Sequence, residues 1–257
     1  MLAEISDADV IVIGETHGHE LGLSAAAALW DDVLATHPNS ALAMEFFERD
    51  QQLALDDYLT GVTDEEAFRE AARRREGNYP PGHQRMVEAA REAGRPVIAA
   101  NAPRRYVRMT TPEGYERLHA LSDEQRRLFN PPVRLSEGKY RDDFVSLMSG
   151  GGHGAAMSDE MVNKIYYSQQ LWDSTMAESV VSATMRGESP VVLVVGRFHS
   201  DFGGATVEFI ERARPDLTIR TISVVDTASA EIDDEDLGRA DYVFYVGQAG
   251  DDDGDGT

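Results

Sequence analysis

Three apolar segments of this sequence end in acidic and imidazole side chains that could perform acid–base chemistry or bind a metal. Glu15 and His17 follow VIVIG, Glu45 follows ALAM, and His199 follows VVLVVGRF. Such a set of carboxylates and imidazoles could hold zinc, manganese, cobalt or iron. Without a metal, Glu15 or Glu45 would act as the general base of a hydrolysis, and His17 or His199 would orient or stabilise the reacting groups. A purely structural alternative is a buried hydrogen-bond network that fixes the loops.

Further polar side chains near the same segments could support this cluster. Some follow the same apolar runs, and two lie on or beside the apolar stripe of a long helix, where polar groups need partners. The predicted supporting residues are His19, Glu48, Asn101, Arg197, Gln169 and Asp173.

These side chains can meet only if the apolar segments are neighbouring strands of one sheet. Apolar runs alternate with helical patterns, which indicates an α/β fold with a mainly parallel sheet flanked by helices. Ligands bind outside the carboxyl ends of the strands in such sheets, so the scattered side chains should converge there. Strands are predicted near residues 8–14, 40–46, 95–100, 190–196, 219–225 and 241–246.

Helical patterns fill the connections between these strands. One crossover helix is predicted over about residues 21–35, and another apolar helical face ends at Gly94. Between them, Thr63 and Glu66 have the spacing of a capping box that opens a helix.

The strand pattern disappears between Asn101 and Pro190, which predicts an inserted helical cap. We therefore expect an α/β core of residues 1–102 and 187–250, a cap of residues 103–186 and a disordered acidic tail of residues 251–257. The last cap helix should begin at Ser158 and end before Gly187. Its predicted apolar stripe comprises Met157, Met161, Ile165, Trp172, Met176, Val180 and Ala183. A glycine-rich segment before it carries His153, either as a ligand or as a solvent-facing residue.

Composition excludes several classes of protein. The formal net charge of −22 would repel nucleic-acid phosphates and anionic membranes, and it is typical of the acidic solvated surface of halophilic proteins. The sequence contains no cysteine, which excludes disulfides and thiolate sites. It shows neither a membrane-spanning apolar run nor a signal-peptide pattern, so we expect a cytoplasmic protein.

Five sequence blocks, taken together and in order, resemble a known family. They are IVIGETHGHE, MEFFERDQQ, the 79–104 region with NYPPGHQ and IAANAPR, YYSQQLWDSTMA, and VVLVVGRFHSDFG. From about residue 8 to 225 the chain is similar to the ChaN-like haem-binding family, which belongs to a wider group with the erythromycin esterases and the Tiki proteases.

The resemblance implies an α/β core with a helical cap and, for the ChaN branch, haem held between two subunits of a homodimer. Tyrosine and histidine are then the expected iron ligands. His153 matches the cap histidine, and the nearby tyrosines are Tyr140, Tyr166 and Tyr167. In the esterase and protease branches, the residues that match Glu15, His17, Glu45 and His199 form the hydrolytic or metal site.

Two main hypotheses follow. The first is a haem- or iron-binding protein that uses the cap, with a porphyrin rim of Met148, Met157 and Met161. The second is a hydrolase, of esterase or metal-dependent peptidase type, that acts on a small-molecule substrate through the strand-end cluster. A third hypothesis is a non-catalytic interaction module in which the cluster is structural.

Overall fold

The predicted strands form one parallel sheet in the computed structural model, which describes residues 5, 7–75, 77–149 and 157–248. The six strands are hydrogen-bonded in the order β3-β2-β4-β1-β5-β6, and every strand pairing is parallel. Their bounds are β1 Val10–Glu15, β2 Ala41–Glu48, β3 Val97–Asn101, β4 Val191–Gly196, β5 Ile219–Val225 and β6 Tyr242–Tyr245. The α/β prediction and the six strand positions are confirmed.

The strand order explains how distant segments reach one place. β4 lies between β1 and β2, so the carboxyl ends of these three strands are neighbours although they are far apart in the chain. β1 and β4 are buried along their whole length, and their runs of valine, isoleucine and leucine suit strands covered on both faces.

One face of the sheet is covered by helices from the first half of the chain. These helices are α1 Glu20–Thr36, α2 Gln52–Leu59, α3 Glu65–Ala71 and α4 Pro81–Glu92. Trp30 of α1 and Met86 of α4 pack on this face against Ile11, Ile13 and Met44 of the sheet. The predicted crossover helix and the helix that ends before Gly94 are therefore confirmed.

The opposite face is covered by two helices, α9 Asp159–Arg186 and α10 Ala205–Ala213. Met176 and Val180 of α9 pack on Val12, Ala43 and other residues that alternate with those of the first face. The second half of this long helix is thus part of the sheet covering, whereas Tyr166 of its first half packs against Tyr140 and Phe144.

The region between β3 and α9 contains the remaining helices and no strand of the sheet in its described part. They are α5 Arg104–Val107, α6 Glu116–His119, α7 Asp123–Arg126 and α8 Lys139–Ser149. A small separate core of Tyr106, Leu118, Phe129 and Leu171 joins this region to α9. This region lies within residues 103–186, and the division of the chain into an α/β core and a helical cap stays a prediction.

Two local predictions need correction. The helix after Thr63 is capped by Asp64, whose carboxylate accepts the Ala67 N–H at 2.9 Å, so the capping box of Thr63 and Glu66 is wrong. An aspartate is as good a cap as threonine and lies one position nearer the helix.

The apolar stripe of α9 was also partly wrong. Met161 is 47% exposed, whereas Val162 and Tyr166 are buried. The predicted start and end are confirmed, because Ser158 accepts the Met161 N–H and Gly187 adopts a left-handed conformation with φ of 96°.

In the part of the chain that the structure describes, no helix combines the length and apolar character needed to cross a membrane. The glycine-rich segment with His153 and the acidic tail of residues 251–257 lie outside the described residues.

Candidate functional site

The predicted acidic and imidazole side chains meet at the carboxyl ends of β1, β2 and β4. Glu15 is the last residue of β1, Glu45 lies in β2, and His199 closes a short 3-10 turn after β4. The Gly196 N–H of β4 donates to Glu45 Oε2 at 2.7 Å, which ties two of these strand ends together.

A break in the register of β2 turns several of its side chains toward one cleft. The pairing with β3 shifts between Met44 and Glu48. Side chains normally alternate between the two faces of a strand. Here Glu45, Phe46 and Glu48 all line the same cleft, while Phe47 remains buried in the core.

Carboxylates and imidazoles alternate through the site in one continuous series, which we name the acid–imidazole chain. In spatial order its members are His83, Glu15, His17, Glu45, His199 and Asp173.

The first half of the acid–imidazole chain is centred on Glu15. Its Oε1 lies 3.0 Å from His17 Nδ1 and 3.3 Å from His83 Nε2. Glu15 is only 3% exposed, and within the described residues neither its Oε2 nor His83 Nδ1 has a hydrogen-bond partner. Buried polar atoms without a partner cost folding free energy, so the His83–Glu15 end of the acid–imidazole chain is suited to a bound water or ligand.

The second half passes through Glu45 to a buried aspartate. Glu45 Oε1 lies 3.9 Å from His17 Nε2 and 3.6 Å from His199 Nε2. His199 Nδ1 is 2.6 Å from Asp173 Oδ1, and Asp173 is fully buried. A carboxylate on one ring nitrogen fixes the orientation of an imidazole, so His199 presents its Nε2 to Glu45.

Asp173 is held by neighbouring hydroxyl groups. Tyr140 donates to Asp173 Oδ2 at 2.8 Å, and Thr206 donates to Oδ1 at 2.7 Å. Gln169 Nε2 lies 3.2 Å from both the Tyr140 hydroxyl and His199 Nδ1. Gln169 and Asp173, which were predicted as supporting residues, therefore contact the cluster directly.

The charges of the site shift the pKa values of its members in opposite directions. Burial raises the pKa of Glu15, but the hydrogen bonds and charges of His17 and His83 outweigh burial and lower this pKa to about 2. The hydrogen bond to Glu15 raises the pKa of His17. Glu15 is therefore a fixed anion that favours the imidazolium form of its neighbour.

His199 is also held in its charged form. Burial lowers its pKa, but Asp173 and Glu45 raise it to about 9. Burial and Asp173 raise the pKa of the Tyr140 phenol well above its usual range. At neutral pH the buried part of the acid–imidazole chain consequently carries the His199 cation, and Tyr140 remains protonated.

A cleft of about 610 Å³ opens beside the acid–imidazole chain. Glu15, His17, Glu45 and His83 line it, whereas His199 lies behind Glu45 and is only 7% exposed. Five arginines also line the cleft: Arg73, Arg74, Arg104, Arg105 and Arg108.

The donor set does not fit a metal ion. Within the described residues, no group of three or more histidine, aspartate and glutamate side chains is placed to hold one. The imidazole nitrogens and carboxylate oxygens face one another along the series, as His199 Nδ1 does with Asp173, instead of facing a shared central point. The geometry thus does not support the prediction of a zinc, manganese or cobalt site.

The other predicted supporting residues have different surroundings. His19 Nδ1 accepts the Gly22 N–H at 3.0 Å and so caps α1. Glu48 lies 3.5 Å from Arg73, and Asn101 accepts the Ala102 N–H at 2.9 Å, both at the cleft. Arg197 pairs with Asp226 at 3.3 Å and lies at another groove.

The predicted haem tyrosines are not grouped around one point. Tyr140 donates to Asp173, and Tyr166 donates to the Ser136 carbonyl at 2.5 Å. Tyr167 packs edge-on against Tyr115. Tyr140 alone of these three lines a second groove of about 760 Å³, the cap groove, with Leu147, Met148, Arg197, Phe198, Phe202 and Arg239 among its other walls.

His83 and the arginines were missed at the sequence level. His83 lies on the same helical face as Met86, Val87 and Ala90, so a histidine on an apolar stripe was the available signal. The arginines occur in two short runs, ARRRE and PRRYVR, within a strongly acidic sequence.

Comparisons with known proteins agree with the fold. The family model described as haem-binding uptake, Tiki superfamily, ChaN matches residues 1–210. No curated protein matches the sequence.

Among solved structures, one described as cofacial heme binding to ChaN of Campylobacter jejuni is similar, with a TM-score of 0.70 and 18% identity over 95% of this chain and 89% of that one. The type III effector HopBA1 is similar with a TM-score of 0.51 and 14% identity over 97% of this chain and 92% of that one. A succinoglycan biosynthesis protein is similar with a TM-score of 0.52 and 15% identity over 88% of this chain and 68% of that one. At these identities the structures show a shared fold. The family match covers most of the sequence, and the chain therefore belongs to the haem-binding uptake family of the Tiki superfamily that includes ChaN.

Proposed function

We propose that the cleft is the active site of a hydrolase that cleaves an ester or amide bond by acid–base catalysis. The observation that carries this proposal is the position of Glu45, whose Oε1 lies between His17 Nε2 at 3.9 Å and His199 Nε2 at 3.6 Å while the residue lines the cleft. A carboxylate between two oriented imidazoles can pass protons to and from a bound water.

Glu45 is the better general base of the two glutamates. His17 and His83 lower the pKa of Glu15 to about 2, and Glu15 is only 3% exposed, whereas Glu45 is 17% exposed, so Glu15 is the weaker proton acceptor of the two. Glu45 would take a proton from water as the water oxygen bonds to the carbonyl carbon. His17, exposed at the cleft and with a raised pKa, would then donate a proton to the departing oxygen or nitrogen.

The remaining members of the acid–imidazole chain act as positioning residues. Asp173 orients His199, and the positive charge of His199 lies beside Glu45. Glu15 orients His17 and favours its protonated form. In this division of roles the proton donor and acceptor line the cleft, Glu15 lies beside His17 at the cleft, and His199 and Asp173 lie behind Glu45.

Hydrolysis of 4-nitrophenyl acetate tests the proposal. We expect Glu45→Gln to lower kcat by about 100-fold or more, because a general base contributes roughly 10² to 10⁴ in rate. The control is Glu92→Gln, an exposed glutamate at the end of α4, which should retain the wild-type rate. A wild type no faster than the buffer blank for this ester and for a matched anilide, or a fully active Glu45→Gln variant, would refute the assignment.

Haem binding at the cap groove is a second candidate function. The chain belongs to a haem-binding family, and the structure of Campylobacter jejuni ChaN is described as binding heme cofacially. The cap groove offers Leu147, Met148, Phe198 and Phe202 as an apolar wall. It lies at the end of α8, and His153 follows four residues after Ser149 in the sequence.

The described groove residues fit the porphyrin better than they fit its iron. Apolar and aromatic side chains suit the faces of the macrocycle. The hydroxyl of Tyr140 is committed to Asp173, and its raised pKa opposes the phenolate that a ferric ligand requires. We therefore assign the iron to His153, and haem bound in this way would serve haem uptake, in line with the family description.

Titration with haemin tests this candidate through the Soret band. A saturable Soret shift should occur in the wild type and disappear in His153→Ala, while His119→Ala, an exposed histidine of α6, should retain it. Sedimentation velocity with and without haemin would show whether binding joins two subunits. A wild type without a saturable shift would end the haem proposal.

A further inference from the structure

The cleft beside the acid–imidazole chain is positively charged along one side in an otherwise acidic protein. Five arginines line it, although the whole chain has 24 basic residues and a net charge of −22. Three glutamates, Glu15, Glu45 and Glu48, share the lining. We name Arg73, Arg74, Arg104, Arg105 and Arg108 the arginine rim.

Two members of the arginine rim are already neutralised. Arg73 lies 3.0 Å from Asp50, and Arg105 lies 2.5 Å from the same carboxylate oxygen. One aspartate thus joins the two segments of the rim, the chain after α3 and the helix α5. These ion pairs link the two segments of the rim and neutralise only part of its positive charge.

Two other members have no partner of their own. Arg104 and Arg108 are exposed, and among the described residues neither side chain makes a hydrogen bond or an ion pair. They are four residues apart at α5, a spacing that places both on one side of a helix. Like charges at this spacing repel each other, so an anion bound between them would relieve the repulsion.

Arg74 provides the inner end of the rim. Its guanidinium lies 3.8 Å from the Phe46 ring centre and donates to the Phe46 carbonyl and to Gln51 Oε1, the latter at 3.1 Å. No carboxylate among the described residues lies within ion-pair distance of it, and its Nε is buried without a partner. Burial lowers its pKa to about 10. Arg74 is thus a desolvated arginine beside Phe46, the residue that follows Glu45, and its positive charge favours an anion at this end of the cleft.

We propose that the arginine rim binds an anionic group of the substrate, a carboxylate or a phosphate, while the bond to be cleaved lies at Glu45 and His17. Arginine is the side chain best suited to bind either oxyanion through paired N–H donors. The carboxylates of Glu15 and Glu45 repel an anion from the reacting end of the cleft. The positive rim and the negative glutamates together set the direction in which the substrate lies. This inference rests on the proposed hydrolytic function of the same cleft.

Calorimetric titration of the whole protein with succinate and with inorganic phosphate, at low ionic strength, tests the rim without requiring activity. We expect saturable binding of at least one anion and a Kd at least about tenfold weaker in Arg104→Gln/Arg108→Gln, because the loss of even one hydrogen bond to a charged group costs roughly this factor. The matched control, Arg117→Gln/Arg134→Gln, removes two exposed arginines away from the cleft and should bind as the wild type does.

The choice of probe and variant separates this inference from the proposed function. Tighter binding of succinate would assign a carboxylate substrate, and tighter binding of phosphate would assign a phosphorylated one. Glu45→Gln should lose hydrolysis and keep anion binding. If neither anion binds saturably at millimolar concentration, or if the rim variant binds as the wild type does, the inference is overturned even when ester hydrolysis is found.

Discussion

At the residue scale, a buried carboxylate determines the charge of the histidine beside Glu45. Asp173 is fully buried and lies 2.6 Å from His199 Nδ1, and hydroxyl groups of Tyr140 and Thr206 donate to the same carboxylate. The charge of this carboxylate and its hydrogen bond to the ring raise the pKa of His199, so they stabilise the imidazolium form of His199.

Replacing Asp173 should therefore change the titration of His199. We expect Asp173→Asn to lower the pKa of His199 from about 9 by roughly one unit or more, because the attraction of one carboxylate is lost. Imidazole ¹⁵N chemical shifts measured against pH report this directly. Asp142→Asn, an exposed aspartate of α8, serves as the control. An unchanged pKa of His199 would show that Asp173 does not set its charge.

The residues that the sequence revealed are those that end strands. Glu15, Glu45 and His199 could be predicted because strand ends of a parallel sheet converge whatever the details of packing. His83 could not be predicted in the same way, since its role depends on how α4 crosses the sheet. His19 was misleading because a histidine that follows a strand can equally cap the next helix.

At the element scale, the position of His83 depends on close packing between α1 and α4. A Cβ on Gly82 would lie 2.5 Å from Leu23 Cβ and 3.0 Å from the Leu23 carbonyl carbon. The absence of a side chain at Gly82 allows the two helix backbones to approach each other. The neighbouring His83 is thereby held 3.3 Å from Glu15.

Gly82→Ala should consequently destabilise the protein. Overpacking typically costs about 1–3 kcal/mol. The gain of about 1 kcal/mol that alanine brings in a helix interior is smaller at Gly82, because Gly82 is the second residue of α4. Urea denaturation followed by circular dichroism measures the free energy of unfolding. A more stable Gly82→Ala protein would mean that helix propensity dominates and that the crossing is loose.

Element positions were more predictable than the faces that elements present. The strands are short runs of buried valine, isoleucine and leucine, which leave little ambiguity. In α9 the stripe was displaced at its first turns, because that half of the helix contacts the cap instead of the sheet. Methionine at position 161 suited an apolar stripe, yet the buried side chains there are Val162 and Tyr166.

At the scale of the whole molecule, the site links stability to pH. The folded pKa of His199 is about 9 and its ordinary value is 6.5, so folding favours the protonated ring. The resulting stabilisation is fully present below pH 6.5 and is lost as pH rises through 9. A shift of this size corresponds to about 3 kcal/mol.

The free energy of unfolding should therefore fall more steeply from pH 6.5 to 9 in the wild type than in His199→Gln. The variant has no titrating ring at this position, so the difference between the two curves isolates the histidine. Guanidinium denaturation at a series of pH values provides both curves. Parallel curves over this range would show that the ring is not charged in the folded protein.

The central claim is that side chains from separate segments act as one catalytic unit. The most direct measurement is kcat for ester hydrolysis by Glu45→Gln, His199→Gln and the double variant, compared with the wild type. For residues that work as a unit, the double variant should be about as slow as the slower single variant. If the double variant lowers kcat by the product of the two single-variant factors, or if the wild type does not hydrolyse the ester, the side chains do not act as one catalytic unit.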